Sequence, residues 1–303
     1  MTRAAPAPPA DSRRRWLQLR LNVAAGGAAR LTTGVCALLQ VAILVRVLGP
    51  EGYGLWVTLL ALAGFITFFD GGSGLTIETA LAEAYAQGDA RRLQQILGSG
   101  GLTLAVIGGI YLVLGALVLP WIDWAELLKI APDQAATART SALIVWGVAA
   151  LGVPFNLAPR WAGALQLGRL NAAWTAVGSV AALGVAVVAA RFGWHWFTVV
   201  TALSLIPVLQ NAGLLVTLWQ RIGWPHAWAR PLPWTEWRLR LRHGAVLSLP
   251  QLGHGLLQVA PPLSIAAVGG PAAATAFNLI QRLATPLSQG QGLLLTPLWP
   301  TYV

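Results

Sequence analysis

The chain has 303 residues, of which 56% are apolar and only 10% are charged. An average soluble domain carries about 25% charged residues, so this composition excludes a protein made of soluble domains alone. The formal net charge is +10, and the basic residues lie at the ends of apolar segments. That placement favours contact with an anionic membrane surface over contact with nucleic acid.

Apolar segments that could cross a bilayer recur along the whole chain. A spanning helix needs roughly 20 mainly apolar residues, and backbone groups in lipid must be paired within their own segment. The sequence therefore predicts an all-α integral membrane protein with about eight transmembrane helices. They are expected at 25–46, 53–70, 98–119, 141–159, 172–190, 196–219, 244–267 and 273–296.

The remaining segments divide the chain into four predicted parts. Residues 1–20 are rich in Pro, Ala and Arg and are expected to form a disordered basic tail, followed by a six-helix bundle over 21–219. Residues 220–243 form a basic, Trp-rich linker that is expected to lie against lipid headgroups, and 244–303 start a second bundle. Most arginines fall on the side of the N-terminus, which predicts that this side is cytoplasmic.

The connector after the second predicted span has mixed polarity. It alternates leucines with charged residues and contains Gly88-Asp89, a turn signal. We expect either an interfacial helix ending at this turn or a solvated connector.

An internal repeat links the two predicted bundles. Residues 24–50 and 245–271 align at a shift of 221 positions, and both segments end in Gly-Pro, at Gly49-Pro50 and Gly270-Pro271. Because both start on the same side of the membrane, the sequence predicts parallel repeats of the kind that build many transporters.

Two short segments resemble a known family. Residues 45–55, VRVLGPEGYGL, closely resemble the first-loop signature of polysaccharide flippases of the multidrug/oligosaccharidyl-lipid/polysaccharide exporter superfamily. Residues 69–75, FDGGSGL, look like the end of the second span in that family, and Leu298-Trp299-Pro300 resembles the close of its eighth span. Members usually have 12 to 14 spans, so the chain looks like a truncated member or a fragment.

The resemblance implies a function without covalent chemistry or a cofactor. An O-antigen-type flippase moves a polyprenyl-diphosphate-linked oligosaccharide across the bacterial inner membrane by alternating access between two bundles. The implied partners are this lipid-linked substrate, anionic membrane lipids and other membrane proteins of glycan assembly, and no nucleic acid.

Charged and polar side chains inside the predicted spans are the candidates for substrate binding. A buried charge costs about 2.5–3.5 kcal/mol on insertion scales, and an arginine can bind a phosphate through two hydrogen bonds. The alternative is that Arg30 reaches the inner surface, and that the amides make interhelical contacts instead of binding sugar hydroxyls. The candidates are Arg30, Arg282, Gln281, Asn278 and Gln258, of which three share one helix face.

A second set of residues is expected to have structural or gating roles. Asp70 is expected to pair with an arginine or to cap the next helix, and Gly49-Pro50 forms a turn. The pair Pro261-Pro262 is expected to kink or break the seventh span. The four histidines are scattered without metal-ligand spacing, and we identify no catalytic or metal-binding residue.

Three other functions remain open from the sequence. A cation-coupled antiporter of the same superfamily would need acidic residues inside the bundle, where the chain offers little beyond Asp70. A membrane enzyme of glycan synthesis would need carboxylates or a large outer loop. An inactive fragment or a helper subunit is the third alternative.

Overall fold

The computed structural model describes residues 12–68, 72–222, 232–247 and 249–295. These residues form helices and short connections, and no strand occurs among them, which confirms the all-α prediction. The helices are α1 (Ser12–Phe68), α2 (Ser73–Ala86), α3 (Ala90–Val118), α4 (Trp124–Leu128), α5 (Ala135–Gly152), α6 (Leu157–Ala164), α7 (Gly168–Phe192), α8 (Trp196–Ile222), α9 (Trp234–Leu247) and α10 (Leu249–Leu295).

Within these residues, six helical segments are long and apolar enough to cross a membrane. These segments overlap all eight predicted spans, because the segments in α1 and α10 each overlap two of them. Both helices are much longer than one crossing requires, and each is interrupted at one glycine.

The two interruptions have the same backbone geometry. Gly49 has φ 72° and ψ 168°, and Gly270 has φ 76° and ψ 178°. Only glycine adopts this region readily, and the proline that follows needs no backbone hydrogen-bond acceptor. Gly49 and Gly270 are equivalent positions in the alignment of the predicted repeat. The same backbone turn therefore recurs at the shift of 221 positions.

The chain reverses direction at Gly49. From Gly54 to Gly72 the contacting residues in α9 and α10 decrease in residue number: Gly54 contacts Pro271, Gly64 contacts Val259 and Gly72 contacts Gly244. Toward Gly49, residues 12–48 run in the same direction as α7, since Thr33 meets Ser179 and Leu44 shares a core cluster with Ala186 and Ala189. After Gly49 the chain runs back from that cluster, which contains Tyr53, to a second cluster that contains Ile66 and packs against Trp174 near the start of α7. The first arm of α1 (12–48) and its second arm (50–68) are therefore antiparallel.

Contacts at the helix ends define two ends of the molecule. The Gly49 end also contains Gly52, Trp196 and Gly270, the last of which lies near the backbone of Lys129. The arginine-rich end contains Gly72, Glu78, Arg92, Arg160 and Arg240. Each end has its own hydrophobic core, one around Leu44, Tyr53 and Leu59 and the other around Leu81, Leu97 and Trp161.

The connector between the second and third predicted spans is helical. In α2, Ile77, Ala80 and Leu81 are at most 1% exposed, so one face of the helix packs into the core of the arginine-rich end. The predicted turn is confirmed: Gly88 has φ 68°, and the Asp89 carboxylate accepts a 2.9 Å hydrogen bond from the backbone N–H of Arg92 at the start of α3. A carboxylate at this position satisfies a helix N–H that has no partner within the helix.

Two expectations about chain continuity need correction. Helix α1 already begins at Ser12, inside the segment 1–20 that we expected to be a disordered tail. Of the kink or break expected at Pro261-Pro262, the break does not occur: α10 continues through both prolines, and its non-helical residue is Gly270. A membrane helix tolerates proline because neighbouring groups can pair with the carbonyls that it leaves free, whereas the geometry at Gly270 cannot continue a helix.

The two turn glycines should respond alike to substitution. Gly49→Ala and Gly270→Ala are each expected to lower the free energy of unfolding by about 1–3 kcal/mol, because a Cβ is strained at this φ and ψ. Gly34→Ala, in a regular part of α1 where no described atom lies within 4 Å of the added Cβ, should cause no loss. Thermal unfolding in detergent, followed by tryptophan fluorescence, compares the three variants. An equal loss in all three would contradict the role of the turn geometry.

Candidate functional site

The two repeats touch through their backbones at the Gly49 end. Thr275 Oγ1 donates a 2.5 Å hydrogen bond to the carbonyl oxygen of Pro50. Gly54 lies so close to the carbonyl oxygen of Pro271 that a Cβ on Gly54 would overlap that oxygen. We call these four residues the seam.

The two contacts of the seam are related by the repeat. At the shift of 221 positions, Pro50 corresponds to Pro271 and Gly54 corresponds to Thr275. The same pair of positions therefore meets twice, once from each repeat, as expected around a two-fold axis along the membrane normal. At this end the repeats are closed against each other.

A cluster of three polar side chains lies beside the seam. The side-chain oxygen of Asn278 accepts a 2.9 Å hydrogen bond from the Tyr53 hydroxyl and a 3.2 Å hydrogen bond from Arg282 Nε. The Arg282 guanidinium lies near the Tyr53 hydroxyl. Tyr53 is only 1% exposed, whereas Asn278 and Arg282 are partly exposed. The cluster joins the second arm of α1 to the arm of α10 that follows Gly270.

Arg282 lies near the middle of the predicted span. It follows Pro271 by eleven residues, which is about 16 Å along a helix and roughly half of a 30 Å hydrocarbon core. Within the described residues it forms no ion pair. Among the described residues its charge is therefore held at depth by the hydrogen bond to Asn278, an arrangement that leaves it able to attract an anion.

Arg30 projects from the bundle-facing side of α1 but is exposed there. Val41, eleven residues later on nearly the same side of the helix, is 4% exposed, and Leu44 is 1% exposed. No described atom comes within 4 Å of a Cβ built on Gly27 or Gly34, the glycines nearest to Arg30 on this side. Among the described residues, packing on this side of α1 therefore becomes looser from Leu44 toward Arg30, in the direction of the arginine-rich end.

The structure brings together some of the predicted site residues. Asn278 and Arg282 are paired, and Gln281 is partly exposed on the same helix. The side chain of Gln258 and the whole of Asp70 lie outside the described part of the chain. The sequence did not single out Tyr53, although it lies within VRVLGPEGYGL and a buried tyrosine hydroxyl generally needs a hydrogen-bond partner.

Ion pairs at the arginine-rich end attach the linker helix α9 to the first bundle. Glu236 of α9 pairs with Arg92 of α3. Arg240 of α9 lies 3.1 Å from Glu83 of α2. A polar cavity of about 380 Å³ lies between these helices, and the lining residues Glu83, Asp89, Arg92 and Arg240 balance in charge. This balance makes the cavity a poor site for a diphosphate.

A buried tryptophan completes the attachment of α9. Trp237 is 3% exposed and donates a 2.8 Å hydrogen bond from Nε1 to Thr103 Oγ1 of α3. The backbone N–H of Leu232 donates to Ser99 Oγ at 2.8 Å. We expected the tryptophans of this linker to lie against headgroups, but Trp237 packs into the protein, whereas Trp234 is 65% exposed.

Comparison with known proteins gives a family and a fold. The family model described as polysaccharide biosynthesis protein matches residues 19–302. A solved structure, protein A, aligns with a TM-score of 0.68 at 14% sequence identity, a level at which the likeness shows the fold alone. The alignment covers 94% of this chain and 64% of that chain, so this chain spans less than two thirds of the length of protein A. The comparison with curated protein sequences gives no match.

Proposed function

This chain belongs to the polysaccharide biosynthesis protein family, and from this premise we propose that it carries a polyprenyl-diphosphate-linked oligosaccharide from the inner to the outer leaflet of the bacterial inner membrane. The chain is a multi-pass membrane protein that acts in polysaccharide biosynthesis. The proposal adds the direction of transport, the lipid-linked substrate and an O-antigen-type glycan.

The placement of Arg282 is the observation that carries the proposal. A guanidinium at mid-depth between two repeats needs a counter-charge, and no described carboxylate supplies one in an ion pair. A diphosphate group offers several oxygens to the planar fork of an arginine, which binds such groups through paired hydrogen bonds. Arg30 is exposed nearer to the arginine-rich end and would contact the diphosphate as the substrate enters from that end.

The seam supports an alternating-access mechanism. With the repeats closed at the Gly49 end, a substrate would enter from the arginine-rich end, which we propose to be cytoplasmic. Rocking of the second repeat against the first would open the seam and expose Arg282 to the outer side. Such a cycle moves a bound lipid headgroup without making or breaking a covalent bond, so we infer a transporter and not an enzyme.

Anionic lipids and other membrane proteins of glycan assembly are the partners that we propose. Arginines at the cytoplasmic surface would attract anionic headgroups. A lipid-linked oligosaccharide must also be delivered by the membrane proteins that assemble it and removed by those that use it.

Restoration of surface glycan in a flippase-deficient strain tests the proposal. The complete reading frame that encodes this chain should restore surface glycan. Arg282→Ala should reduce that glycan at least tenfold at equal protein level, because one charged hydrogen-bonded contact is worth about 1.5–3 kcal/mol. Arg282→Lys should retain part of the activity, since it keeps the charge but not the planar fork.

Arg191→Ala is the matched control. Arg191 is exposed in the last turn of α7, and its loss should leave the surface glycan at the wild-type level. Failure of the wild-type frame to restore any glycan would overturn the transport function. Full activity of Arg282→Ala would overturn the diphosphate site.

A further inference from the structure

We propose that Tyr53 is a positioning residue for Arg282. Its hydroxyl, acting through the side-chain oxygen of Asn278, holds the guanidinium oriented to bind a diphosphate for as long as the two repeats are closed at the Gly49 end. This inference rests on the proposed function and adds a residue that connects substrate affinity to the conformational state.

Tyr53 is fixed more firmly than the other two members of the cluster. Its ring lies in the core of the Gly49 end together with Val41, Leu44 and Leu59, each of which is at most 4% exposed. The next residue, Gly54, is held against the backbone of Pro271. The hydroxyl therefore projects toward α10 from a rigid support.

Asn278 connects the fixed Tyr53 hydroxyl to Arg282 and so restricts the orientation of the guanidinium. An amide oxygen has two lone pairs and can accept two hydrogen bonds. In Asn278 one is donated by the Tyr53 hydroxyl and the other by Arg282 Nε. With both positions filled, the amide has one favoured orientation and Nε has a fixed direction. A guanidinium that uses Nε in this way still has four N–H groups on its two terminal nitrogens for an anion.

The Tyr53 hydroxyl adds no negative charge beside those donors. It has one proton, which it donates to Asn278. It therefore supports the positive charge of Arg282 without neutralising it.

The link depends on which end of the protein is closed. Tyr53 belongs to the first repeat, and Asn278 and Arg282 belong to the second. When the repeats separate at the Gly49 end, the hydroxyl and the amide move apart and Arg282 loses its support. Affinity for the diphosphate is thus higher in the state that faces the arginine-rich end, and opening of the seam favours release. Such a difference in affinity couples substrate binding to the conformational equilibrium, because a ligand bound equally by both states shifts neither.

Binding of farnesyl diphosphate to the purified protein, measured by titration calorimetry in detergent, tests the link. Tyr53→Phe removes only the hydroxyl and should weaken binding about three- to tenfold, the range expected for one hydrogen bond. Asn278→Asp keeps the acceptor but places a negative charge beside Arg282, and should weaken binding more than tenfold. Tyr85→Phe, at the arginine-rich end, should bind as the wild type does.

A double-mutant cycle separates positioning from a structural role. In an Arg282→Ala background, Tyr53→Phe should cause no further loss of binding, whereas a merely structural effect would persist. If Arg282→Ala weakens binding but Tyr53→Phe and Asn278→Asp do not, the diphosphate site stands and the positioning role is wrong. If Arg282→Ala itself leaves binding unchanged, the site in the proposed function is wrong.

Discussion

Gly54→Ala is expected to prevent the two repeats from closing at the Gly49 end. The added Cβ would overlap the carbonyl oxygen of Pro271 and would also lie 2.8 Å from Thr275 Oγ1. A flexible side chain could turn away, but a backbone carbonyl at the start of a helix cannot. Overpacking usually costs about 1–3 kcal/mol, and we expect the upper end of this range in the free energy of unfolding.

Thiol labelling shows whether the seam has opened. In a protein whose single native cysteine, Cys36, is replaced by Ser, a cysteine at Leu55 should be protected, because Leu55 is 6% exposed. The same cysteine should react with a membrane-impermeant reagent when Gly54→Ala is present. Gly109→Ala in α3, where no described atom lies within 4 Å of the new Cβ, is the matched control and should leave Leu55→Cys protected. Protection in both variants would show that the seam tolerates the extra atom.

Trp237→Ala is expected to detach the linker helix from the first bundle. Loss of a buried tryptophan usually costs about 3–5 kcal/mol, and the Nε1 hydrogen bond to Thr103 is lost as well. The ion pairs of α9 cannot compensate, because their side chains are 29–58% exposed and pairs of this kind contribute about 0–1 kcal/mol each.

Trp234→Ala provides a control on the same helix. Trp234 lies three residues earlier and is 65% exposed, so its removal should change the free energy of unfolding by about 0.5 kcal/mol or less. Thermal unfolding in detergent compares the two variants, and Thr103→Val measures the hydrogen bond alone, at about 1 kcal/mol. Equal losses from Trp234→Ala and Trp237→Ala would contradict the docking of α9.

Hydropathy was sufficient to predict the helices, because backbone groups in lipid leave few alternatives. The Gly-Pro pairs at Gly49 and Gly270 could also be recognised from the sequence, because their backbone geometry requires glycine and this requirement is local. The bond between Tyr53 and Asn278 joins residues 225 positions apart, and no local pattern specifies such a partner. Trp234 and Trp237 look alike in the sequence, and only the packing of α9 on α3 distinguishes them.

The Pro261-Pro262 pair shows the limit of a rule taken from soluble helices. A proline removes one hydrogen bond and crowds the preceding turn, but α10 continues through both prolines. In a bilayer the surroundings favour the helix strongly, since every alternative leaves more backbone groups without partners. The break occurs instead where glycine permits a conformation that no helix can include.

The unlike pair Gly54 and Thr275 makes the two halves of the molecule chemically non-interchangeable. Two glycines at these corresponding positions would give close approach but no clamp, and two threonines would hold both backbones apart. With one of each, Gly54 of the first half allows the two backbones to approach closely, and Thr275 of the second half donates a hydrogen bond to the Pro50 carbonyl. An engineer could therefore adjust how closely the halves approach by changing residue 54, and how firmly they hold by changing residue 275.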